Sequence, residues 1–143
     1  MTQSKGDPYD LQRFVDAQQP VYERVLCELA AGCKSSHWMW FVFPQIAGLG
    51  SSSMAQRYAI AARAEAAAYL DHPLLGPRLR QCTRLVTGID GRSIHQIFGS
   101  PDDMKFQSSM TLFAWTAGDN ADFLAALDKY FDGTLDPATL ARL

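Results

Sequence analysis

Residues 38–44, Trp-Met-Trp-Phe-Val-Phe-Pro, are apolar on every face, and no other run in the chain has comparable strand character. A strand without a partner leaves its backbone N–H and C=O groups unpaired, so a lone run of this kind cannot found a sheet. It has to be buried among helices instead, as a short connector that Pro44 brings to a stop. That requirement selects an all-α fold: a single compact bundle of six or seven helices with short connections.

Helix starts and stops account for most of the remaining chain. Asp10 reads as the cap of a helix carrying Leu11, Phe14 and Val15. Pro20 opens a second helix with Val21, Val25, Leu26 and Leu29 inward and Gly32 as its stop. Ser53 with Gln56 reads as a capping box. It predicts one long Ala-rich helix from about Met54 to Leu70, ended by Asp71-His72-Pro73. A further helix runs from about Leu75 or Pro77 to Thr87, and Ser93 begins a short turn to Phe98. Ser100-Pro101-Asp102-Asp103 is a helix start with acids in the first turn; that helix carries Met104, Phe106, Met110, Leu112, Phe113 and Trp115 and ends near Gly118. Asn120 caps a helix through Phe131, and Asp136-Pro137 opens a last turn. No repeat or linker divides residues 10–143, so they form one helical domain. Residues 1–9 are expected to be disordered or loosely held.

Composition narrows the function. A chain of 143 residues with 48% apolar content can build its own core without a metal or disulfide. Its net charge of −2 and thinly spread 13 Lys and Arg argue against a nucleic-acid polymer as partner. The polar start and the shortness of the apolar run argue against a signal peptide or membrane span, which makes the expected location cytoplasmic. Cys27, Cys33 and Cys82 cannot all pair within the chain, and they read as buried, inert thiols. Cys27, Cys33 and His37 match no common zinc spacing, so no metal site and no cofactor are expected.

Four segments are candidates for chemistry. Gly48-Leu49-Gly50-Ser51-Ser52-Ser53 leads into a predicted helix, where free N–H groups and serine hydroxyls suit a phosphate or carboxylate. It lacks the Gly-Lys-Ser/Thr ending of a P-loop and the third glycine of a dinucleotide fingerprint. In the aromatic run, Trp38, Trp40 and Phe43 suit the stacking of a planar ring, and His37 and Gln45 its orientation by hydrogen bonds. Lys105, Ser108 and Ser109 near the start of a helix suit the polar edges of a phosphorylated ligand. His72 and Arg78 flank a proline-rich turn, for which turn chemistry is the simpler explanation. No paired-carboxylate, Ser-His-Asp or nucleophile-elbow pattern assigns a reaction, so these residues point to binding and leave catalysis open.

The run Lys34-Ser35-Ser36-His37-Trp38-Met39-Trp40-Phe41-Val42-Phe43-Pro44-Gln45, followed by Gly48-Leu49-Gly50-Ser51-Ser52, resembles the signature of domain-of-unknown-function family 1810. So do Tyr58-Ala59-Ile60, Ala68-Tyr69-Leu70, residues 72–79 and residues 105–113. The resemblance spans nearly the whole chain. It implies a compact, mainly α-helical, stand-alone bacterial domain with no established activity. The label calpastatin, sometimes attached to such domains, does not suit a folded chain of this kind. A looser resemblance is to the NAD- and ADP-ribose-associated (NADAR) superfamily, which implies an ADP-ribose derivative as ligand and carries no catalytic residue onto this sequence.

Two readings follow. In the first, the chain binds a small phosphorylated or nucleotide-like ligand: the 48–53 loop takes the anion, Trp38, Trp40 or Phe43 the ring, and Gln45, Lys105, Ser108 or Ser109 the polar edges. In the second, residues 37–45 form an exposed apolar patch that docks a protein partner without catalysis. Trp38 and Trp40 beside the serine loop in a concave site would favour the first, on a flat surface the second, and fully buried neither.

Overall fold

The longest element, Asp102–Thr116, runs through the middle of the molecule and sets the arrangement of the others. The computed structural model describes residues 6–143. In chain order its helices are α1 (Gln12–Gln18), α2 (Tyr22–Ala30), α3 (Met39–Val42), α4 (Ser53–Arg57), α5 (Arg63–Asp71), α6 (Leu75–Thr87), α7 (Ile94–Phe98), α8 (Asp102–Thr116), α9 (Ala121–Phe131) and α10 (Pro137–Leu140). Six have seven or more residues, and α3, α4, α7 and α10 are single turns of four or five. Among the described residues the only β pairing is an isolated parallel bridge, Ile46 to Ile60. The fold is all-α.

Helix α8 is buried nearly all round: Phe106 and every residue from Ser108 to Ala114 is inside. A helix can be so enclosed only when neighbours cover each face, and α5, α7, α9 and α10 all pack on it. Three of its four hydroxyls turn back on the helix itself, and the fourth, on buried Ser109, has no partner among the described residues. Ser108, Thr111 and Thr116 donate to the carbonyls four residues earlier, at 3.2, 2.8 and 2.8 Å. Helix α6 packs on α2, α5 and α9. The α5–α6 junction closes over Gly76, where a Cβ would lie 2.1 Å from the Leu70 carbonyl oxygen. His72 Nδ1 accepts the N–H groups of Leu74 and Leu75 at 3.1 and 3.2 Å, which makes His72 part of the turn into α6.

The apolar run is the buried connector that its composition requires. Trp38, Met39, Phe41, Val42, Phe43 and Pro44 are all inside, with one turn of helix, α3, in their midst. Gln18 Nε2 donates to the Phe41 carbonyl at 2.7 Å. The entry to this run is held by Glu28, whose Oε1 accepts Ser35 N–H (2.8 Å), Ser36 N–H (3.1 Å) and the Trp38 indole N–H (2.9 Å). Its Oε2 accepts the Ser36 hydroxyl at 2.6 Å. Burial alone would raise the Glu28 pKa, but these donors outweigh it and bring it down to about 2.

Several local expectations need correcting. The long Ala-rich helix of 54–70 is two helices, α4 and α5, separated by an extended stretch around Ile60. Tertiary bonds win over alanine's helix propensity there. Ile60 is fully buried in the bridge, Arg13 donates to the carbonyls of Arg57 and Ala59 at 2.9 Å each, and Glu65 accepts Ala61 N–H at 3.0 Å. Ser52, not Ser53, caps α4, accepting Ala55 N–H at 3.1 Å. Asp7, not Asp10, serves α1: its two oxygens accept Leu11 and Gln12 N–H at 2.7 and 2.8 Å. That bond ties residue 7 of the expected loose N-terminus to α1, while residues 1–5 lie outside the described residues. Asn120 holds the N-cap position of α9, but its side chain donates to the Ala114 carbonyl at 2.9 Å and makes no capping bond. Cys27 and Cys33 are exposed, and Cys82 alone among the three thiols is buried.

Candidate functional site

After Pro44 the backbone extends for a few residues. Gln45 O accepts Ile60 N–H and Ile60 O accepts Ala47 N–H, both at 2.8 Å. This bridge is the neck of a loop, residues 47–59, whose Tyr58 is packed in the core and whose Leu49 and Met54 rest against it. Gly48 in the loop has φ +98°, a left-handed conformation that glycine takes without strain. Its carbonyl accepts Arg142 Nη2 at 3.2 Å, which ties the loop to the residues that follow α10.

Two adjoining hollows lie against this loop. One, of about 230 Å³, is lined chiefly by Trp40, Gln45, Ala55, Gln56 and Tyr58. The other, of about 490 Å³, is lined by the loop serines Ser51 and Ser52 and by Met104, Lys105, Ser108 and Asp136. Gln45, Gly50 and Ala55 border both. The larger hollow is of ligand-site size, roughly 300–1,000 Å³, and the smaller would take a single ring or headgroup.

The charges at the site are unevenly matched. Lys105 Nζ lies over the Trp40 ring, 5.2 Å from its centroid, and 3.7 Å from Asp102 Oδ1. The other oxygen of Asp102 already holds Lys34 Nζ at 2.8 Å, and Lys34 lies 5.2 Å from the Trp38 ring centroid. Two lysines, each over a tryptophan, thus share one carboxylate. The two indole N–H groups differ. Trp38 donates to Glu28, whereas Trp40 Nε1 is shielded from water and has no partner among the described residues. Across the larger hollow, Asp136 Oδ2 accepts the hydroxyls of Ser108 (2.9 Å) and Thr139 (2.6 Å) and the Thr139 N–H (3.2 Å).

The structure brings Trp40, Gln45, Gly48, Gly50, Ser51, Ser52, Lys105 and Ser108 to this cleft. Four other sequence candidates lie elsewhere. Trp38 is 1% exposed and spent on Glu28; Phe43 is fully buried, edge-on to Phe98 and Phe106. Ser109 is fully buried inside α8, and His37 is exposed and lines neither hollow. The loop also differs from a helix-start anion site. Helix α4 has only five residues, its Ala55 N–H is taken by Ser52, and the Ser51 carbonyl accepts Gln56 Nε2 at 3.1 Å. Since residues 38, 39 and 41–44 are inside, the aromatic run does not make an exposed apolar patch. Arg78 binds Gln18 and Gln19 at 3.3 and 3.0 Å and stacks on Tyr22, so it serves packing.

Sequence reasoning missed Gln56, Tyr58 and Asp136 as cleft residues. Asp136 is readable as the cap before Pro137, but nothing local places it against Ser108. Chemically, the cleft offers an aromatic face, an unpaired donor, a cation with half a counter-ion and a carboxylate that accepts hydroxyls. That set suits a polar, anionic small molecule with a planar part.

Comparison with known proteins agrees with the fold and is silent on the cleft. No curated protein matches the chain. Among solved structures, the chain is similar to the conserved hypothetical protein Rv1873 from Mycobacterium tuberculosis, whose crystal structure is at 1.38 Å. The identity is 60%, the TM-score 0.95, and the match covers 96% of this chain and 98% of that one. The family model described as "Protein of unknown function (DUF1810)" matches residues 8–143, and the chain belongs to that family.

Proposed function

We propose that the cleft between the 47–59 loop, α3, α8 and α10 binds a small phosphorylated or nucleotide-like ligand. One observation carries this reading: Trp40, whose indole N–H is shielded from water and unpaired, lines one of the two adjoining hollows, and Lys105, 3.7 Å from its shared counter-ion, lines the other. A buried donor without an acceptor costs about 1–3 kcal/mol, so a position that keeps one has something to gain from a ligand. Trp40 and Tyr58 would contact a planar group, Gln45 and Gln56 its polar edge, and Ser108 and Asp136 hydroxyls of a sugar. An ADP-ribose derivative is the first ligand to try, on the strength of the looser resemblance to the NADAR superfamily.

Thermal unfolding against ADP-ribose, NAD, AMP, nicotinamide, ribose 5-phosphate and inorganic phosphate tests the reading. A ligand at a hundred times its Kd adds about 2.7 kcal/mol to stability, a rise of several degrees in Tm. The expected result is a concentration-dependent rise that Trp40→Ala or Lys105→Ala abolishes. A flat response to all six at millimolar concentration refutes it.

A further inference from the structure

The two tryptophans of the connector, two residues apart, are built alike and finished differently. Each has a lysine nitrogen 5.2 Å from its ring centroid, Lys34 over Trp38 and Lys105 over Trp40. Asp102 on α8 joins the two lysines. At Trp38 the arrangement is complete: the indole N–H donates to the Glu28 carboxylate at 2.9 Å, and Lys34 pairs with Asp102 at 2.8 Å. At Trp40 both terms are open, because the N–H has no acceptor and Lys105 reaches the shared Asp102 only at 3.7 Å. What the second unit lacks is an anionic oxygen in the position that Glu28 holds for the first.

We infer that the ligand's phosphate oxygen binds at Trp40 Nε1 and Lys105 Nζ rather than at the glycine–serine loop. This rests on the proposed ligand cleft and reverses the orientation the sequence suggests. The loop is a poorer anion site, because one first-turn N–H of the five-residue α4 is already taken by Ser52. Trp40 and Lys105 also sit on the two elements that the core fixes most firmly, the buried connector and α8. A charge-assisted bond from an indole to an anion gains most where water is excluded. Trp40 Nε1 is shielded, so an acceptor has to displace part of the surrounding wall, and Lys105, a long side chain a quarter exposed that lies over the Trp40 ring, can be displaced with it.

The experiment is a ¹⁵N-resolved NMR titration of the whole chain, reading the indole N–H signals of Trp38, Trp40 and Trp115. Assignment comes from Trp40→Phe, which keeps a ring and removes the donor. Probes are inorganic phosphate, ribose 5-phosphate, AMP and, as the anion-free control, adenosine. The expected result is that the Trp40 indole proton moves downfield with the phosphorylated probes and not with adenosine, while the Trp38 signal stays. Trp40→Phe and Lys105→Gln should each weaken AMP binding roughly ten- to a hundredfold, and Ser51→Ala with Ser52→Ala should leave it within about twofold. Should the loop amides of residues 50–55 shift while the Trp40 indole does not, the cleft reading stands and the inferred orientation is wrong. If no signal moves with any probe, both fall.

Discussion

Replacing Glu28 by Gln keeps the shape of the side chain and removes its charge, which isolates what the carboxylate adds at the mouth of the aromatic connector. The Gln oxygen can still accept Ser35 N–H, Ser36 N–H and the Trp38 indole, and the Ser36 hydroxyl can reverse to accept from the new amide. What is lost is the charge assistance of those bonds, together about 2–3 kcal/mol, in line with the depressed pKa. Glu28→Ala removes every acceptor and leaves the buried Trp38 N–H unpaired, so it should cost more, about 3–4 kcal/mol. The pH dependence identifies the cause. The pKa of Glu28 falls from its ordinary 4.5 to about 2 on folding, because its donors overcome the cost of burial. A depressed carboxylate contributes stability that is complete above the unfolded pKa and disappears as pH falls through the folded one. Urea unfolding from pH 7 down to pH 2, followed by Trp fluorescence, should therefore show a constant gap between the wild-type chain and Glu28→Gln above about pH 5. The gap should close progressively between pH 4.5 and 2. A gap of the same size at pH 7 and pH 2.5 would refute the claim that the charge, and not the shape, holds this segment.

Other perturbations probe separate parts of the fold. Gly76→Ala places a methyl 2.1 Å from the Leu70 carbonyl oxygen, and the α5–α6 turn must open to admit it. A loss of about 2–3 kcal/mol in thermal unfolding is expected, and a neutral variant would mean the junction is looser than drawn. Arg13→Met strips Glu65, whose side chain is 4% exposed, of its 2.8 Å partner, and also frees the carbonyls of Arg57 and Ala59. Denaturant titration should show about 3–5 kcal/mol lost, and less than 1 would show that water replaces the guanidinium. Thiol titration of the native protein should label Cys27 and Cys33 quickly and leave Cys82 until unfolding, since burial has pushed the Cys82 thiol up to about 11. Three fast thiols would contradict the packing of α6.

What the sequence disclosed and what it hid divide along the range of the interactions. The unpartnered apolar run and the recurring caps and breakers are local, and they were enough for an all-α chain with a buried connector at 38–44. The break in the Ala-rich segment is not local. It depends on Arg13, far away in the chain, capturing the carbonyls of Arg57 and Ala59, and on Ile46 meeting Ile60. The choice between Trp38 and Trp40 is of the same kind. Two identical side chains two residues apart face different surroundings because Glu28 on α2 reaches one and not the other. Asp136 faces Ser108 only because α10 folds back along α8, and no spacing within either segment announces it.

The neck formed by Ile46 and Ile60 has a further consequence. Residues 47–59 leave and rejoin the bundle at one place, pinned there by two backbone hydrogen bonds, and they contribute few side chains to the core beyond Tyr58. The exposed stretch, residues 51–53, can change composition with little penalty, whereas Gly48, Arg57, Tyr58 and Ala59 are held to the bundle by Arg142, Arg13 and the aromatic core. Under the proposed function, changes at the exposed rim of the loop would leave Trp40 and Lys105 in place on α3 and α8. If the cleft binds as proposed, selectivity could change through the exposed residues of the loop while the fold beneath it stays the same.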